Sequence, residues 1–127
     1  MNYVICDTNV FIHYFKGNEA TKHIFEDIIG EEYVLVPSLV LMELCKGAWN
    51  KQELDKLIKQ MKSYKTLHFN EQVSEKALEL VKQYHLSHNL CMPDAIIAAM
   101  SLIYDLPLFT YNIADFRYIT GIKLLDI

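Results

Sequence analysis

The stretch Tyr3-Val4-Ile5-Cys6-Asp7-Thr8-Asn9 decides the fold that this sequence predicts. Its first four residues are apolar and rich in strand formers, which favours a buried β-strand. The next three are residue types that end a strand and cap a helix. Residues 10–15 continue as a short helix, and Gly17 ends it. The chain therefore begins as a strand–helix unit with a carboxylate, Asp7, at the turn.

The same alternation of strands and helices continues along the whole chain. Further strands are predicted at 33–36, 66–69, 106–110 and 123–127. Helical spacing is found at 19–29, 38–46, 51–63, 71–86 and 95–104, with a helical turn at 113–118. Most of the strands are apolar throughout, a pattern typical of a parallel sheet covered by helices on both faces. The pattern therefore predicts an α/β fold.

Length and composition indicate a single globular domain spanning residues 1–127. A domain averages roughly 150 residues, and this chain has 127, of which 52% are hydrophobic and 22% charged. Glycine (4) and proline (3) are scarce, which excludes collagen-like and disordered classes and disfavours turn-rich β architectures. No apolar run reaches the roughly 18 residues that a membrane helix needs.

The N-terminal region and the cysteines favour a cytoplasmic protein. The apolar stretch 3–15 is interrupted by Asp7, Asn9 and His13 and lacks a basic leader, so it is not a secretory signal. The three cysteines form no CxxC pair and leave an odd count, which fits a reducing compartment better than a disulfide framework.

The charge distribution leaves two interpretations open. The net charge is −4, which alone disfavours a nucleic-acid partner. Residues 46–65, however, hold six of the twelve basic residues against Glu53 and Asp55, a local net charge of +4. The six are Lys46, Lys51, Lys56, Lys59, Lys62 and Lys65. This lysine stripe could follow a phosphate backbone or be an ordinary solvated helix face.

Four acidic residues fall at one edge of the predicted sheet. Asp7 follows the first strand, Glu43 lies in the helix after the second, and Asp94 begins the helix at 95–104. Asp115 follows the strand at 106–110. Ligands of open parallel sheets bind beyond the carboxyl ends of the strands. The four side chains are therefore expected to meet at one site.

Each acid also has a purely structural interpretation. Asp7 and Asp94 could cap helices, and Asp115 could stabilise a turn. Glu43 could form the polar side of its helix and pair with Lys46. That helix is apolar almost all round, however, so we expect it to be buried, and a buried carboxylate needs a cation or hydrogen-bond donors. It is the joint occurrence of the four that favours a site.

The chemistry of such a cluster favours phosphodiester hydrolysis. Neighbouring carboxylates repel and raise one another's pKa values unless a divalent cation lies among them. Ligands that are all oxygen suit Mg²⁺ or Mn²⁺ rather than Zn²⁺. Such ions stabilise the attacking and leaving oxygens of an in-line phosphoryl displacement and lower the pKa of water.

At this point the sequence resembles the PIN-domain ribonucleases, and among them the VapC-like toxins of toxin–antitoxin pairs. Four stretches carry the resemblance: Ile5-Cys6-Asp7-Thr8-Asn9-Val10, Met42-Glu43-Leu44-Cys45-Lys46-Gly47, Pro93-Asp94-Ala95-Ile96-Ile97-Ala98-Ala99 and Phe109-Thr110-Tyr111-Asn112-Ile113-Ala114-Asp115-Phe116. A single Asp-Thr-Asn motif would be weak evidence, but the order and spread of the four stretches match the family over essentially the whole chain.

The resemblance implies a three-layer α/β/α fold with a five-stranded, mainly parallel sheet. It also implies an endoribonuclease dependent on Mg²⁺ or Mn²⁺, a homodimer, an RNA substrate and neutralisation by a cognate antitoxin. Carried over to this sequence, the acidic metal-site and catalytic residues are Asp7, Glu43, Asp94 and Asp115. The polar residues supporting the site are Thr8, Asn9, Thr110 and Asn112.

Two positions depart from the family pattern. Asn89 stands where a loop with glycine would be expected before Pro93-Asp94. Asparagine tolerates the left-handed conformation, so we expect this loop to keep its shape. Tyr111 stands where the family often has an arginine, which puts a phosphate contact from that position in doubt.

Other functions remain as alternatives. A non-catalytic PIN-type module acting through a partner would need none of the four acids, so their retention disfavours it. A phosphoacceptor receiver domain needs an aspartate after the third strand and a late lysine. Asp55 lies in a predicted helix instead, and Lys123 is too close to the end of the sequence. A phosphatase with an aspartate nucleophile needs a second acid where Asn9 stands. Metal-free acid–base cleavage would require a histidine pair such as His85 and His88.

Overall fold

A parallel sheet lies at the centre of the fold. The computed structural model describes residues 2–126, in which the sheet has four strands. These are β1 (Val4–Cys6), β2 (Val34–Pro37), β3 (Lys65–Leu67) and β4 (Leu108–Phe109). Their order is β3-β2-β1-β4, and every neighbouring pair is parallel. The predicted α/β class with a parallel sheet is confirmed.

Six α-helices connect and cover the strands in the described part of the chain. They are α1 (Thr8–Phe15), α2 (Glu19–His23), α3 (Ser38–Lys46), α4 (Lys51–Met61), α5 (Glu71–His88) and α6 (Met92–Tyr104). The segment predicted as one helix at 19–29 is α2 followed directly by a π-helical stretch, Ile24–Ile29. Gly30 ends it at φ 90°, a left-handed value that glycine adopts without strain.

The strand order reverses direction at β1, and this reversal creates a crevice. From β1 the chain moves outward through β2 to β3, then returns to place β4 on the other side of β1. Because such crossovers are right-handed, α1 to α4 cover one face of the sheet and α5 and α6 the other. The chain leaves β1 into α1, and after β4 it continues into a short 3₁₀ turn, Ile113–Asp115. The carboxyl ends of these two neighbouring strands therefore border a crevice of the kind in which ligands of such sheets bind.

Packed aromatic rings anchor β1 and α1 beside this crevice. Phe11 of α1 lies 5.4 Å from Phe25 and 5.5 Å from Tyr64, both edge-on, and Phe25 lies 6.1 Å from Phe109 of β4. Edge-to-face pairs at this spacing add to the energy of burial. Because β1 is itself fully buried, the residue that follows it has little freedom to move.

The expected fifth strand at 123–127 is wrong as a full strand. Within residues 2–126 the segment contributes one isolated parallel bridge, Leu124 to Leu108, and Ile127 lies outside the described residues. The Leu108 amide donates to Lys123, and the Leu125 amide donates to Leu108. The pairing of this segment with β4 is thus limited to a single bridge and does not form a strand.

Two further expectations can be compared with the backbone. Asn89 adopts the left-handed conformation, with φ 56° and ψ 40°, at the C-terminal end of α5, as predicted. The expectation that α3 is buried all round is wrong, because Met42 and Glu43 are exposed while Val40 and Leu44 are buried. Between Asn2 and Asp126, no helix is long and apolar enough to cross a membrane.

Candidate active site

Asp7 lies at the base of the crevice, directly after β1. Its side chain is 5% exposed. As the N-cap of α1, it accepts a hydrogen bond at Oδ1 from the Thr8 amide, 2.8 Å away. Its Oδ2 accepts one from the Thr110 hydroxyl at 2.9 Å and a longer one from Asn9 Nδ2 at 3.3 Å. Asp7 therefore caps a helix and also presents a buried carboxylate at the crevice.

Burial dominates the electrostatics of Asp7. Removal from water raises the pKa of Asp7, and the nearby charge of Glu43 raises it further, although the hydrogen bonds from Thr8 and Thr110 partly oppose these effects. The carboxylate form therefore costs free energy in the absence of a cation. A positive charge placed at this position would stabilise it.

Polar groups after β4 complete the surroundings of Asp7. Asn9 Oδ1 accepts a hydrogen bond from the Tyr111 amide at 3.0 Å, and its Nδ2 lies 3.4 Å from Thr110 Oγ1. The Thr110 oxygen also accepts the Asn112 amide at 3.0 Å. These bonds join the start of α1 to the end of β4 across the crevice. Asn112 takes part in them through its backbone.

Glu43 approaches the site from α3 and is exposed rather than buried. The Thr8 hydroxyl donates a hydrogen bond to its Oε1 at 3.0 Å. This contact connects α3 to the first residue of α1, beside Asp7. Glu43 is therefore positioned by a hydroxyl donor, not by the apolar surroundings that the sequence suggested.

Asp94 reaches the site from the other helical layer, in the first turn of α6. Cys91, rather than Asp94, is the N-cap residue. Partial burial raises the pKa of Asp94 to about 6; the charges of Asp7, Asp115 and Glu43 also raise it, while a hydrogen bond from the Cys91 thiol lowers it. The four predicted acids are therefore close enough to repel one another.

Asp115 ends a short 3₁₀ turn, Ile113–Asp115, and is exposed. The charge of Asp115 contributes to the raised pKa of Asp94. Between Asn2 and Asp126, no three Asp, Glu, His or Cys side chains converge closely enough to hold a metal ion together. The acids thus face one crevice without forming a closed set of ligands.

The chemistry of this donor set fits a hard divalent cation. The four acids supply carboxylate oxygens from both helical layers, and burial together with repulsion from the other three acids raises the pKa of Asp94. Mg²⁺ and Mn²⁺ prefer such oxygens and retain several waters, so a few protein ligands are sufficient. The residues that would hold the ion are Asp7, Glu43, Asp94 and Asp115.

The raised pKa of Asp94 predicts a pH dependence of stability in the metal-free protein. Its folded-state pKa, about 6, exceeds its ordinary value of 3.8, so the native state binds the proton more tightly than the unfolded state. Stability is therefore lost as the pH rises between these values. In EDTA, we expect Asp94→Asn to melt increasingly above wild type as the pH rises from 3.8 to about 6, with a constant difference beyond. A difference that shrinks with rising pH would contradict a raised pKa of Asp94 in the folded protein.

Two neighbours of Asp94 and Asp115 were not singled out from the sequence as parts of the site. The Cys91 thiol contacts the Asp94 carboxyl group. Tyr118 lies close enough to both acids that their charges, after burial, raise its pKa. Cys91 lies three residues before one acid and Tyr118 three residues after the other, and nothing in the sequence distinguishes them from ordinary packing residues.

Comparisons with known proteins identify the family and the fold of the chain. The family model of the PIN domain matches residues 4–121. A comparison with curated proteins gives no match. Among solved structures, the chain is similar to a chain of a toxin–antitoxin complex from Klebsiella pneumoniae, with 25% identity, 94% of each chain covered and a TM-score of 0.77.

Two further solved structures share the fold over nearly the whole chain. One is DNA-bound VapBC from Salmonella typhimurium, with 21% identity, 99% of this chain and 98% of the other covered, and a TM-score of 0.82. The other is VapBC2 from Rickettsia felis bound to a promoter DNA fragment, with 20% identity, 97% of each chain covered and a TM-score of 0.80. The chain therefore belongs to the PIN domain family and has the fold of its VapC-like toxins.

Proposed function

We propose that this protein is an endoribonuclease that depends on Mg²⁺ or Mn²⁺ and acts as the toxin of a type II toxin–antitoxin pair. VapC-like PIN domains are generally nucleases. The observation that carries the proposal is that four carboxylates from both helical layers face one crevice, close enough to influence one another's charge, at the point where the strand order reverses. The proposed site consists of Asp7, Glu43, Asp94 and Asp115, supported by Thr8, Asn9, Thr110 and Asn112.

Each of the four acids would have its own role in binding the metal ion. Asp7 is held in one orientation by donors from α1 and from Thr110, the residue after β4, so it can act as the central ligand. Glu43 and Asp94 approach from opposite layers and would bind the same ion. Asp115, on an exposed turn, would bind from outside or through water. When bound, the ion would neutralise phosphate charge and lower the pKa of the attacking water.

The direct test is RNA cleavage with and without divalent metal. We expect the purified protein to cut single-stranded RNA in Mg²⁺ or Mn²⁺, to lose this activity in excess EDTA, and to regain it when metal is restored. Equal cleavage in EDTA would contradict the metal mechanism. If no RNA in a panel of tRNA, mRNA and rRNA is cut under any condition, the alternative of a non-catalytic module that acts through its partner is favoured.

The proposed partner is an antitoxin protein that covers the acidic crevice, with the toxin itself as a homodimer. An open groove of about 390 Å³ begins at Thr8 and Glu43 and runs between α1, α3 and α4. Ile12, Phe15, Leu44 and Leu57 supply its apolar lining, and Lys16 and Lys56 its positive charges. An apolar segment could fill this groove while an arginine pairs with the carboxylates, a geometry that suits the guanidinium group.

This partner model predicts a growth defect. Expression of the wild-type chain alone is expected to stop growth of the host, because RNA cleavage would be unrestrained. Expression of Asp7→Asn at the same level should not. The measurement is the growth rate after induction, with the protein level checked by immunoblotting. Normal growth with a wild-type protein that cleaves RNA in vitro would contradict the toxin role.

A further inference from the structure

Three aromatic rings pack together at the C-terminal end of α5. The His88 ring lies flat against Tyr118, with 4.0 Å between centroids and 9° between planes. Tyr84 contacts both rings edge-on, at 5.8 Å from His88 and 5.1 Å from Tyr118. The Tyr84 oxygen is itself held by the amide and hydroxyl groups of Thr120 at 3.2 Å each. The cluster is therefore supported from the protein side.

Burial decreases from Tyr84 to His88 in this cluster. Tyr84 is buried, Tyr118 is partly buried and His88 is exposed. Tyr118 covers one face of the imidazole, and the Ser87 hydroxyl lies 2.7 Å from its Nδ1. His88 is therefore accessible to solvent although Tyr118 stacks on one face of its ring. The opposite face is the one on which a further planar ring could stack.

The backbone places this surface beside the acids. His88 is the last residue of α5, and Asn89 ends the helix in the left-handed conformation with its amide bonded to the His85 carbonyl. The chain then enters α6 within three residues and reaches Asp94 in the first turn. Tyr118 follows Asp115 by three residues, and both Asp94 and Asp115 act electrostatically on it. Tyr118 therefore lies on the side of the crevice that holds these two acids, and His88 is stacked on it.

We propose that the open face of His88, backed by Tyr118, stacks one nucleobase of the RNA that lies next to the cleaved phosphate. This inference rests on the proposed function and assigns a specificity-determining role to residues outside the acidic site. Single-stranded RNA is recognised largely by stacking its unpaired bases on aromatic side chains. A ring already held by a neighbour loses little freedom when a base stacks on it.

The test is a cycle that combines a change in the ring with a change in the base. The probes are single-stranded RNA oligonucleotides that the wild-type enzyme cuts at one position, each with an abasic site at one nucleotide flanking the cut. At the stacked nucleotide, we expect the abasic site to raise KM of the wild type about tenfold with little change in kcat. His88→Ala should raise KM of the intact RNA by a similar factor and show no further loss with the abasic RNA.

Two matched variants separate stacking from other roles. His88→Phe retains a ring without the imidazole nitrogens and should keep KM within about twofold of wild type. His85→Ala removes an exposed histidine from the preceding turn of α5 and should behave as wild type. Melting temperatures of all variants identify any that have lost packing instead of a base contact.

The outcomes separate this inference from the proposed function. If the ring and the base changes add independently at every flanking nucleotide, or if His88→Phe is as defective as His88→Ala, the stacking inference is overturned. Failure of the wild type to cut any RNA would instead overturn the proposed function, and the stacking inference with it. Non-additivity at one nucleotide, with rescue by phenylalanine, would establish the stacking surface.

Discussion

Replacing Asp7 by Asn is expected to abolish RNA cleavage and, at the same time, to raise the melting temperature of the metal-free protein. Asp7 is the buried member of the acid cluster, and burial raises its pKa. Asparagine keeps the shape and can still cap α1 through its oxygen, but it removes the charge that a cation needs. We expect a loss of at least about 100-fold in kcat/KM, since even the outer contacts of a metal site change activity 10- to 100-fold.

Although Asp7→Asn lowers activity, it should raise the stability of the metal-free protein, because the native state of the variant no longer holds a desolvated charge. A gain of about 1 kcal/mol would raise the melting temperature by about 4 °C in a domain of this size. With its oxygen capping Thr8, the Asp7→Asn side chain places its NH2 group at the Oδ2 position, which accepts hydrogen bonds from Thr110 at 2.9 Å and from Asn9 Nδ2 at 3.3 Å. The Thr110 hydroxyl can rotate to accept from this NH2 group, whereas the Asn9 Nδ2 donor cannot, so the loss of the longer contact should reduce the gain without reversing it.

Metal addition provides the second half of this test. At a concentration 100 times Kd, a bound ion stabilises the native state by about 2.7 kcal/mol. We expect this gain in wild type and a much smaller one in Asp7→Asn. Thermal melts with EDTA and with saturating Mn²⁺ measure both effects.

Two control variants are melted under the same conditions as Asp7→Asn. Asp7→Ala loses both the cap and the charge, and Asp55→Asn removes an exposed acid from α4 and should change stability by less than about 0.5 kcal/mol. If Asp7→Asn melts no higher than wild type in EDTA and responds equally to metal, Asp7 acts only as a helix cap.

Reversing the charges of Lys56, Lys59 and Lys62 is expected to weaken RNA binding by about 100-fold at 0.1 M salt. All three are exposed, on α4 or just after it, and Lys56 also lines the groove that begins at Thr8 and Glu43. Each phosphate contact contributes about 0.7 to the slope of log affinity against log salt for single strands. Losing three contacts should therefore flatten that slope by about 2.

The matched control reverses three exposed lysines outside the lysine stripe, Lys22, Lys82 and Lys123. Both triple variants have the same net charge, so a general effect of charge would change them equally. Binding is measured by fluorescence anisotropy of labelled RNA at several salt concentrations. An unchanged slope in the Lys56, Lys59 and Lys62 variant would assign these lysines to an ordinary solvated helix face.

Local sequence signals predicted most of the secondary structure. The apolar run 3–6 followed by Asp-Thr-Asn predicted β1, the cap at Asp7 and the start of α1, because strand formers and capping residues act over a few neighbours. The left-handed Asn89 was predictable for the same reason. The extent of the sheet beyond β4 was not predictable in this way. Whether residues 123–126 form a strand depends on how far they pair with β4, and this contact between distant segments cannot be read from residues 123–127 alone.

The surroundings of the acids also could not be predicted from their neighbours in the sequence. The apolar sequence around Glu43 suggested burial, but α3 turns that residue outward, where Thr8 of α1 donates to it. Cys91 took the capping position that the sequence had offered to Asp94. Each of these outcomes depends on which helix packs against which, and residues 35 positions apart carry no mutual signal in a single sequence.

What the sequence by itself determined is the order of strands and helices and the placement of four acids after strands or at helix starts. Hydrophobic periodicity and capping chemistry are short-range, so they can be read along the chain. Only the tertiary structure decided that β4 returns beside β1 and that Asp7 is buried between donors from α1 and from Thr110, the residue after β4. It also decided that Tyr118, stacked on His88, lies near Asp94 and Asp115. These features arise from contacts between distant segments, whose geometry exists only once the two helical layers have packed on the sheet.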